Sequence, residues 1–401
     1  MHATKSKKVI VARTAPEIFG GKIMSPVPDP YSVYRRLRRE EPVIALKGFI
    51  DTSYLVTRYE HVTRAVKDPV LYSSKGNARG IGLVMGRTIL EMEGKEHQRH
   101  RKLVTPAFSP HALRSGIEAS IVAIIDEMID GIAGDGKADL VSQFTFTYPL
   151  RVVAHIIGIP IDDFDEFHRK ALALISVADN PEGGFEAAKW IMDYMQPILE
   201  ERRREPREDL LSKLVYAEVD GERLTEEEVL SFVRLLLPAG AETTYRLTGS
   251  TIFACLKHPD VLEEVRAKPE RIDAVIEEVL RWESPVQFVS REVTRAVDLD
   301  GWEIDDGGLI MFAIGSANRD ETIFDDPDRF ILDRPNISEH IAFGFGEHFC
   351  LGSNLARLEA RVAVPALLER LPNLRLDPAQ TSQCVGVAFR SPDQLPVLFD
   401  S

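Results

Sequence analysis

The sequence predicts a mainly α-helical protein with small β-sheets, folded as a single domain over residues 1–401. Two patterns lead to this fold class. From Glu118 onward, apolar residues recur at three- and four-residue spacing, as they do on the buried faces of helices. Short runs typical of strands lie toward the two ends of the chain. No internal repeat or flexible linker divides the sequence, so we expect one compact unit.

The elements can be placed in chain order. Residues 1–30 are expected to form an irregular N-terminal arm, because Pro26, Pro28 and Pro30 interrupt any regular pattern. A helix is predicted from Tyr31 to Glu41. Strands are predicted at 43–46, 53–56, 291–299, 302–304, 385–389 and 395–398.

Composition and charge narrow the classes of function. Hydrophobic residues make up 44% and charged residues 28% of the chain, which is enough material for a large core. A formal net charge of −14 argues against a nucleic-acid binder or a binder of anionic membranes. The widely separated Cys255, Cys350 and Cys384 fit a reducing compartment. The sequence contains no run of roughly twenty apolar residues, the length that a membrane-spanning helix needs. We therefore expect a cytoplasmic protein.

One cysteine stands in a context suited to iron chemistry. Residues 343–352 have the sequence Phe-Gly-Phe-Gly-Glu-His-Phe-Cys-Leu-Gly, and a helical pattern begins at Ser353. The glycines permit a tight, irregular backbone. Cys350 would lie just before a helix N-terminus, where backbone N–H groups favour a thiolate over a thiol. A thiolate is a known ligand of haem iron, whereas a buried, inert cysteine would not need these surroundings.

A long helix with an acid and an alcohol at its centre precedes that loop. Thr225 and Glu228 form a predicted capping box, and the helical pattern continues to His258, a length of roughly 50 Å. Pro238 and Gly240 predict a local opening or kink near the middle. Residues 242 and 243, a glutamate and a threonine, could move protons there, and Gly240 could let a flat cofactor approach. The alternative is a core helix whose threonine hydroxyls bond back to carbonyls one turn earlier.

A Glu-x-x-Arg pair follows in the next predicted helix. Glu278 and Arg281 are three residues apart and therefore lie on one face. Such a pair is often a surface ion pair, but its apolar neighbours suggest burial, which would require a further partner for the guanidinium. Arg329 or Arg334 could supply that partner, and the expected role is structural.

Taken in this order, the three motifs closely resemble those of the cytochrome P450 family, in particular its soluble bacterial members. They are Ala-Gly-x-Glu-Thr-Thr at 239–244, Glu-x-x-Arg at 278–281 and Phe-x-x-Gly-x-x-x-Cys-x-Gly at 343–352. The similarity covers nearly the whole chain. It implies the P450 fold, with haem b (iron protoporphyrin IX) held between the long central helix and the helix that follows the cysteine loop.

The resemblance also assigns roles to individual residues. Cys350 would be the iron ligand, and the Glu242–Thr243 pair would activate oxygen. Arg329 would join Glu278 and Arg281 in a structural triad. The remaining residues expected to contact the haem, its propionates included, are His97, Arg101, Ala239, Gly240, Arg291, Phe343, His348 and Gly352. Lys95 departs from the family pattern, since proline is usual just before the Glu-His of this segment.

In functional terms, the resemblance implies a haem-thiolate monooxygenase. Such an enzyme inserts one oxygen atom from O2 into a C–H bond or double bond of a hydrophobic small molecule. The chain shows no dinucleotide-binding fingerprint, so electrons would come from a separate ferredoxin and ferredoxin reductase. A peroxygenase driven by H2O2 and a non-catalytic haem-binding sensor are the alternatives.

Two surfaces can be suggested from the same sequence. Arg99, Lys102, Arg357 and Arg361 could form a basic docking patch near the cysteine. Apolar segments at 80–85, 236–244, 286–289 and 385–389 could line a substrate pocket.

Overall fold

Helices dominate the computed structural model, which describes residues 8, 10–49, 51–160, 164–177, 179–219 and 221–400. Short 3₁₀ and π-helical turns connect several of the helices. The α-helices are α1 (Ala15–Phe19), α2 (Tyr31–Glu40), α3 (Tyr59–Lys67), α4 (Gly82–Met85), α5 (Gly94–Val104), α6 (Pro110–Ala112), α7 (Glu118–Asp130), α8 (Tyr148–Ile157), α9 (Phe164–Ile175), α10 (Pro181–Arg204), α11 (Leu210–Val215), α12 (Glu226–Lys257), α13 (Pro259–Ala267), α14 (Ile272–Trp282), α15 (Ile314–Ala317) and α16 (Ser353–Arg370).

Among the described residues, the strands are short and form one larger sheet and four small ones. They are β1 (Ala12–Thr14), β2 (Val43–Phe49), β3 (Asp51–Val56), β4 (Tyr72–Ser73), β5 (Lys137–Asp139), β6 (Glu218–Val219), β7 (Glu222–Arg223), β8 (Phe288–Val293), β9 (Val297–Leu299), β10 (Trp302–Ile304), β11 (Leu309–Ala313), β12 (Arg375–Leu376), β13 (Cys384–Val385), β14 (Ser391–Pro392) and β15 (Pro396–Leu398). The large sheet has the order β1-β2-β3-β11-β8-β4, and β12-β15-β5 form the next. The remaining sheets are the pairs β9–β10, β13–β14 and β6–β7.

The N-terminal arm is more regular than its prolines suggested. The prediction of irregular structure over residues 1–30 is wrong for residues 12–19, since β1 pairs in parallel with Ala45 to Lys47 of β2 and extends the edge of the large sheet. Thr14 and Glu17 then form a capping box that starts α1. Residues 1–7 and 9 of the arm lie outside the described residues.

Several other predictions agree with the structure at the level of elements. The helix expected at 31–41 is α2, and the strand expected at 302–304 is β10 with the same bounds. The strand expected at 385–389 is wrong in extent. Regular pairing there is limited to Cys384 and Val385, while Phe389 makes an isolated bridge to Val286.

The central helix α12 organises the helical half of the molecule. Thr225 caps it as predicted, with its hydroxyl accepting from the N–H of Glu228 and the Glu228 carboxylate accepting from the N–H of Thr225. The helix runs from Glu226 to Lys257 without interruption at Pro238. It packs against α8, α14 and α16, and its buried side chains belong to the largest apolar cluster. A helix that is buried over most of its surface holds the residues at its centre in defined positions.

Two smaller apolar clusters lie on the large sheet, one on its α3 side and one against the N-terminal arm and α2. Within the described part of the chain, no helix combines the length and apolarity needed to cross a bilayer.

Candidate active site

The loop that leads to Cys350 is shaped by two glycines. Gly344 and Gly346 have φ angles of 71° and 68°, in the left-handed region that glycine enters without strain. The backbone N–H of Cys350 donates to the carbonyl of Phe343 at 2.9 Å. Helix α16 begins at Ser353, as the sequence predicted, so the cysteine lies just before a helix N-terminus.

Opposing effects act on the thiol of Cys350. Burial raises its pKa and is the largest effect. The backbone N–H groups of Gly352 and Ser353, together with the guanidinium groups of Arg101 and Arg357, act in the opposite direction. The helix end therefore favours a thiolate as expected, but in the protein alone desolvation exceeds that contribution. A metal cation at Sγ would reverse the balance, since a coordinating thiol is deprotonated.

The predicted propionate-binding cations converge beside this loop. The ring centroids of His97 and His348 lie 4.3 Å apart. Burial is the main cause that lowers the pKa of His348 to about 3, and the positive charges of Arg291, His97 and Arg101 contribute. His97 and Arg101 are four residues apart and share one face of α5. Three separate parts of the sequence, α5, β8 and the cysteine loop, thus bring basic groups to one place.

Arg101 already holds part of the cysteine loop. Its Nη1 donates to the carbonyl of Glu347 at 3.1 Å, and its Nη2 donates to the carbonyl of Phe349. The side chain therefore joins α5 to the loop in the protein alone, a contact that the sequence did not indicate.

One member of this cluster, His97, lacks among the described residues the hydrogen-bond partners that buried polar groups normally have. Both ring nitrogens of His97 are buried and make no hydrogen bond within the described residues. Arg291 is also buried, and its Nη1 donates to the carbonyl of Ser290 at 2.7 Å. Burial lowers the pKa of Arg291 to about 10, with the Glu93 carboxylate acting against it. Unpaired buried cations and imidazoles are costly. An anionic group such as a haem propionate would satisfy them, so the residues present fit a haem.

Ala239 and Thr243 are among the more accessible residues near the middle of α12. Ala239 is exposed and Thr243 is partly exposed, although α12 is otherwise mostly buried here. The Thr243 hydroxyl donates to the Ala239 carbonyl at 2.8 Å. This backward bond is the alternative that the sequence analysis left open, and it leaves the lone pairs of the hydroxyl oxygen available as acceptors.

Gly240 is required for a reason that the sequence did not indicate. A Cβ at this position would lie 2.9 Å from Cγ2 of Val153 on α8. Close packing is therefore one reason for glycine here, because α8 and α12 are too close for a side chain. The approach of a flat cofactor to Gly240 stays a prediction.

Glu242 lies next to Thr243 in sequence and is held in the protein interior. Its side chain is 3% exposed. Nε of Arg246 donates to its Oε1 at 2.8 Å, and Nη2 of Arg246 donates to the same oxygen. Burial raises the pKa of Glu242, and the Arg246 guanidinium opposes that rise. The sequence predicted the acid but missed its partner, although the four-residue spacing of the two charges was visible.

Glu278 and Arg281 are confirmed as a buried pair, but the prediction that Arg329 is their third partner was wrong. Arg281 donates to Glu278 through Nε at 2.8 Å and Nη2 at 2.7 Å. Arg334 completes the cluster, with Nε 3.4 Å from Glu278 Oε1. Arg329 was expected there, but its side chain is 74% exposed and pairs with Asp326. Only the Arg329 carbonyl points inward, accepting from Arg281 and Arg334.

Further residues support the loop without any signal in the sequence. The Ser74 hydroxyl lies 3.0 Å from Nε2 of His348. Glu277 contacts Nε2 of His340 at 2.9 Å and Nε of Arg357 at 2.6 Å, which joins α14, the segment before the loop and α16. These contacts cross long sequence separations between common residue types, so spacing alone could not reveal them.

The predicted basic patch is partly neutralised. Arg357 pairs with Glu277, and Arg361 pairs with Asp273 at 2.6 Å. Beside the cysteine loop, an open groove of about 480 Å³ is lined by His97, Gln98, Arg101, Lys102, Thr105, Pro106, Ser109 and Glu347. The positive charge that remains in this region is therefore centred on α5.

Comparison with known proteins gives one consistent result. The family model described as Cytochrome P450 matches residues 177–383. The chain is 36% identical over 388 residues to cytochrome P450 107B1 of Saccharopolyspora erythraea, covering 92% of this chain and 95% of that protein. It is 36% identical over 360 residues to the cytochrome P450 monooxygenase PikC of Streptomyces venezuelae, covering 87% and 85%.

Solved structures agree with these sequence relatives. The structure of the Bacillus subtilis polyketide synthase cytochrome P450 PksS aligns with a TM-score of 0.84 at 35% identity, covering 93% of this chain and 97% of that one. The structure of P450BioI in complex with an acyl carrier protein ligated to hexadec-9Z-enoic acid aligns with a TM-score of 0.83 at 32% identity, covering 93% and 99%. The overall fold is thus shared with solved structures of cytochromes P450.

Proposed function

The chain belongs to the cytochrome P450 family, and from this premise we propose which of its residues carry the activity. The family makes the protein an oxidoreductase: a haem-thiolate monooxygenase that binds haem b and acts on hydrophobic small molecules with O2. When bound, the haem supplies the oxygen-binding and redox chemistry, and the protein supplies position, protons and exclusion of water.

Cys350 is proposed as the iron ligand. Phe343 and Gly352 frame it, the first through its carbonyl and the second through its N–H. His97 and Arg291 would receive the propionates, with Arg101 and His348 beside them. The observation that carries this assignment is that His97, His348 and Arg101 lie together beside the loop of Cys350, with two buried ring nitrogens of His97 lacking partners among the described residues.

Thr243 and Glu242 are proposed as the groups that deliver protons. Thr243 Oγ1 donates to the Ala239 carbonyl and can accept a proton or hydrogen bond from its other side. Glu242 can release or take up a proton at Oε2, the oxygen that Arg246 does not hold. Ala239 and Gly240, the partly accessible residues one turn earlier, would form the wall against which the cofactor lies.

The experiment for the iron ligand is the substitution Cys350→Ser. The expected result is loss of the thiolate-type absorption of the reduced carbon-monoxide complex, measured in the haem-reconstituted protein. A matched control is Cys384→Ser, which replaces another free cysteine and should keep that absorption. If the absorption survived in the Cys350 variant, the assignment would be wrong.

Electrons are proposed to come from a ferredoxin and its reductase. The support is the groove beside the cysteine loop, whose wall includes Lys102, and the exposed apolar side chains of Phe345 and Phe349 on the loop itself. A basic rim around apolar contacts suits a small acidic protein, because complementary charge speeds association. The three free cysteines support a cytoplasmic location, where such partners are found.

Turnover tests separate this function from its alternatives. We expect product with ferredoxin, reductase and NAD(P)H, and little with H2O2 alone. Lys102→Glu should raise the KM for ferredoxin several-fold, more at low salt than at high salt. Lys189→Glu, at an exposed lysine of α10, is the matched control and should leave that KM unchanged. Turnover with peroxide only would indicate a peroxygenase, and haem binding without turnover of any ligand would indicate a sensor.

The substrate class is proposed from the apolar segments around α12. Val286 and Phe389 form a bridge and are partly exposed, as are Val289 and Ala388. These side chains and Ala239 offer apolar surface with few charges, which favours a hydrophobic molecule. Screening compounds for the change in ferric spin state on binding would identify the chemical class.

A further inference from the structure

Arg246 is tied both to its own helix and to the C-terminal segment that contains Phe389 and Ser391. On its own helix it donates to Glu242 Oε1 through Nε at 2.8 Å and through Nη2. Its Nη1 donates to the Ser391 hydroxyl of β14 at 3.2 Å. Its guanidinium carbon lies 4.7 Å from the ring centroid of Tyr245 and 5.6 Å from that of Phe389. These contacts hold the side chain in one place, since a planar guanidinium with fixed donors and ring contacts has few alternative orientations.

The two oxygens of Glu242 are consequently unequal. Oε1 receives both bonds from Arg246, and the Tyr245 hydroxyl lies 3.5 Å from the same atom. Oε2 is buried, and no group among the described residues hydrogen-bonds it. A buried carboxylate oxygen without a donor is costly unless it has a role. Since Oε1 is occupied, any proton that Glu242 carries must be on Oε2.

The titratable groups around this carboxyl, among the described residues, come from two helices. Tyr245 and Arg246 belong to α12, and His168 of α9 lies against Tyr245 with ring centroids 6.4 Å apart. The imidazole of His168 stacks on Phe146 at 3.5 Å, and its Nε2 is buried without a partner in the described residues. Burial lowers the pKa of His168 to about 4, with Arg246 contributing, so this ring is neutral at physiological pH. Arg246 is therefore the positive charge that acts on Glu242.

We propose that Arg246 is a positioning residue for oxygen activation: it fixes Glu242 through Oε1, keeps the carboxyl ionised, and presents Oε2 as the proton-carrying atom. The proposal rests on the proposed role of Glu242 and extends it to a residue outside the acid–alcohol motif. It also connects proton delivery to the C-terminal segment, because Phe389 and Ser391 hold the guanidinium from the side of the apolar segments described above.

The sign of the effect follows from the balance at Glu242. Burial raises the pKa of this carboxyl, and the Arg246 charge opposes the rise. Removal of Arg246 leaves the burial effect alone, so the carboxyl binds its proton up to a higher pH. A nearby opposite charge typically changes a carboxyl pKa by about one to three units. A variant without the charge should therefore hold Glu242 neutral at a pH where the natural protein has it ionised.

The test uses Arg246→Leu in the haem-bound ferric protein, without turnover. Infrared spectra recorded against pH should show a protonated-carboxyl band that persists to a pH about one unit or more higher than in the natural protein. The band is assigned to Glu242 by its absence in Arg246→Leu/Glu242→Gln. Arg246→Lys, which keeps the charge but loses the planar fork, should give an intermediate shift.

Turnover provides the second readout. On the acidic limb of the pH profile, the rate of Arg246→Leu should fall by up to tenfold for each unit by which the Glu242 pKa rises, because the ionised fraction falls by up to that factor. The acidic limb of its pH profile should move to higher pH, and more reducing equivalents should be consumed without product. The matched control is Arg234→Leu, which removes another buried, ion-paired arginine from α12. It should leave the Glu242 band and the pH profile in place.

The outcomes separate a positioning role of Arg246 from a structural one, and both from a failure of the monooxygenase function. An unshifted carboxyl band in Arg246→Leu, or equal effects of Arg246→Leu and Arg234→Leu on the pH profile, would overturn the positioning role and leave Arg246 as a structural residue. Failure of the natural protein to form product would contradict the monooxygenase function instead, and the infrared titration would still report on Arg246.

Discussion

Arg334 and Arg329 offer a matched test of how the cysteine loop is supported. They belong to the same loop, five residues apart, but the Arg334 side chain is 3% exposed and that of Arg329 is 74% exposed. Arg334 donates to the Glu278 carboxylate and to the carbonyls of Asp325 and Asp326. Replacing either arginine by leucine removes the same charge and a similar volume.

The two variants are expected to lose amounts of folding free energy that differ by several kcal/mol. Arg334→Leu removes one partner of a buried charge and leaves carbonyls without donors, which typically costs about 3–5 kcal/mol. Arg329→Leu removes an exposed ion pair of the kind usually worth under about 1 kcal/mol. The Arg329 carbonyl, which does accept inward bonds, is kept in both variants.

Urea unfolding of the haem-bound protein measures the difference, with tryptophan fluorescence and haem absorbance as probes. A loss of about 3 kcal/mol lowers the folding equilibrium constant by roughly 10²-fold. Glu278→Gln should couple to Arg334→Leu by about 0.5–3 kcal/mol and should be additive with Arg329→Leu. If the two arginine variants lost equal stability, or if Arg334→Leu lost less than about 1 kcal/mol, the reasoning from burial would be refuted.

Three further predictions concern packing and titration. Gly240→Ala should destabilise the protein by about 1–3 kcal/mol in thermal or urea unfolding, because its Cβ would lie 2.9 Å from Val153 Cγ2; Val153→Ala should relieve most of that loss, and unchanged loss in the double variant would contradict it. Burial raises the pKa of Glu277, but the hydrogen bonds and charges of Arg357 and His340 together outweigh it and hold the pKa at about 2. The stability from this ionised group is therefore present above pH 4.5 and lost as the pH falls toward 2, so Glu277→Gln should be less stable than the natural protein at pH 7, by an amount that shrinks on acidification. A constant difference from pH 7 to pH 3 would argue against this. Burial raises the pKa of Glu359 well above 4.5, so folding of the natural protein is weakened as the pH rises above that value. Glu359→Gln should therefore be the more stable form at pH 7 and lose this advantage near pH 4, which parallel unfolding curves at the two pH values would reveal.

The local chemistry of the site could be predicted because its signals are local in sequence. Gly344 and Gly346 mark a backbone that needs positive φ, and both have it. Thr225 and Glu228 mark a helix start, and α12 begins there. The order of the motifs along the chain then indicated a haem protein and the helices on either side of the cofactor.

Contacts between distant segments could not be predicted in the same way. Arg329 and Arg334 are equivalent choices by spacing, and only the path of the loop turns one side chain inward and the other outward. The parallel pairing of β1 with β2 depends on an edge strand that the prolines of the arm do not reveal.

By itself, the sequence predicted the chemistry of this protein. Local patterns predicted a cysteine before a helix and an acid beside an alcohol, and the resemblance to the P450 family predicted basic residues for an anionic cofactor. These depend on backbone conformations and helical spacing, which a few neighbouring residues control. The tertiary structure decided which charges meet. In the folded protein, Arg334 pairs with Glu278 and α8 packs closely against Gly240. Arg246 donates hydrogen bonds to both Glu242 and Ser391. The physical reason is that buried charges take the partners that packing brings within hydrogen-bond distance, and packing is a property of the whole chain.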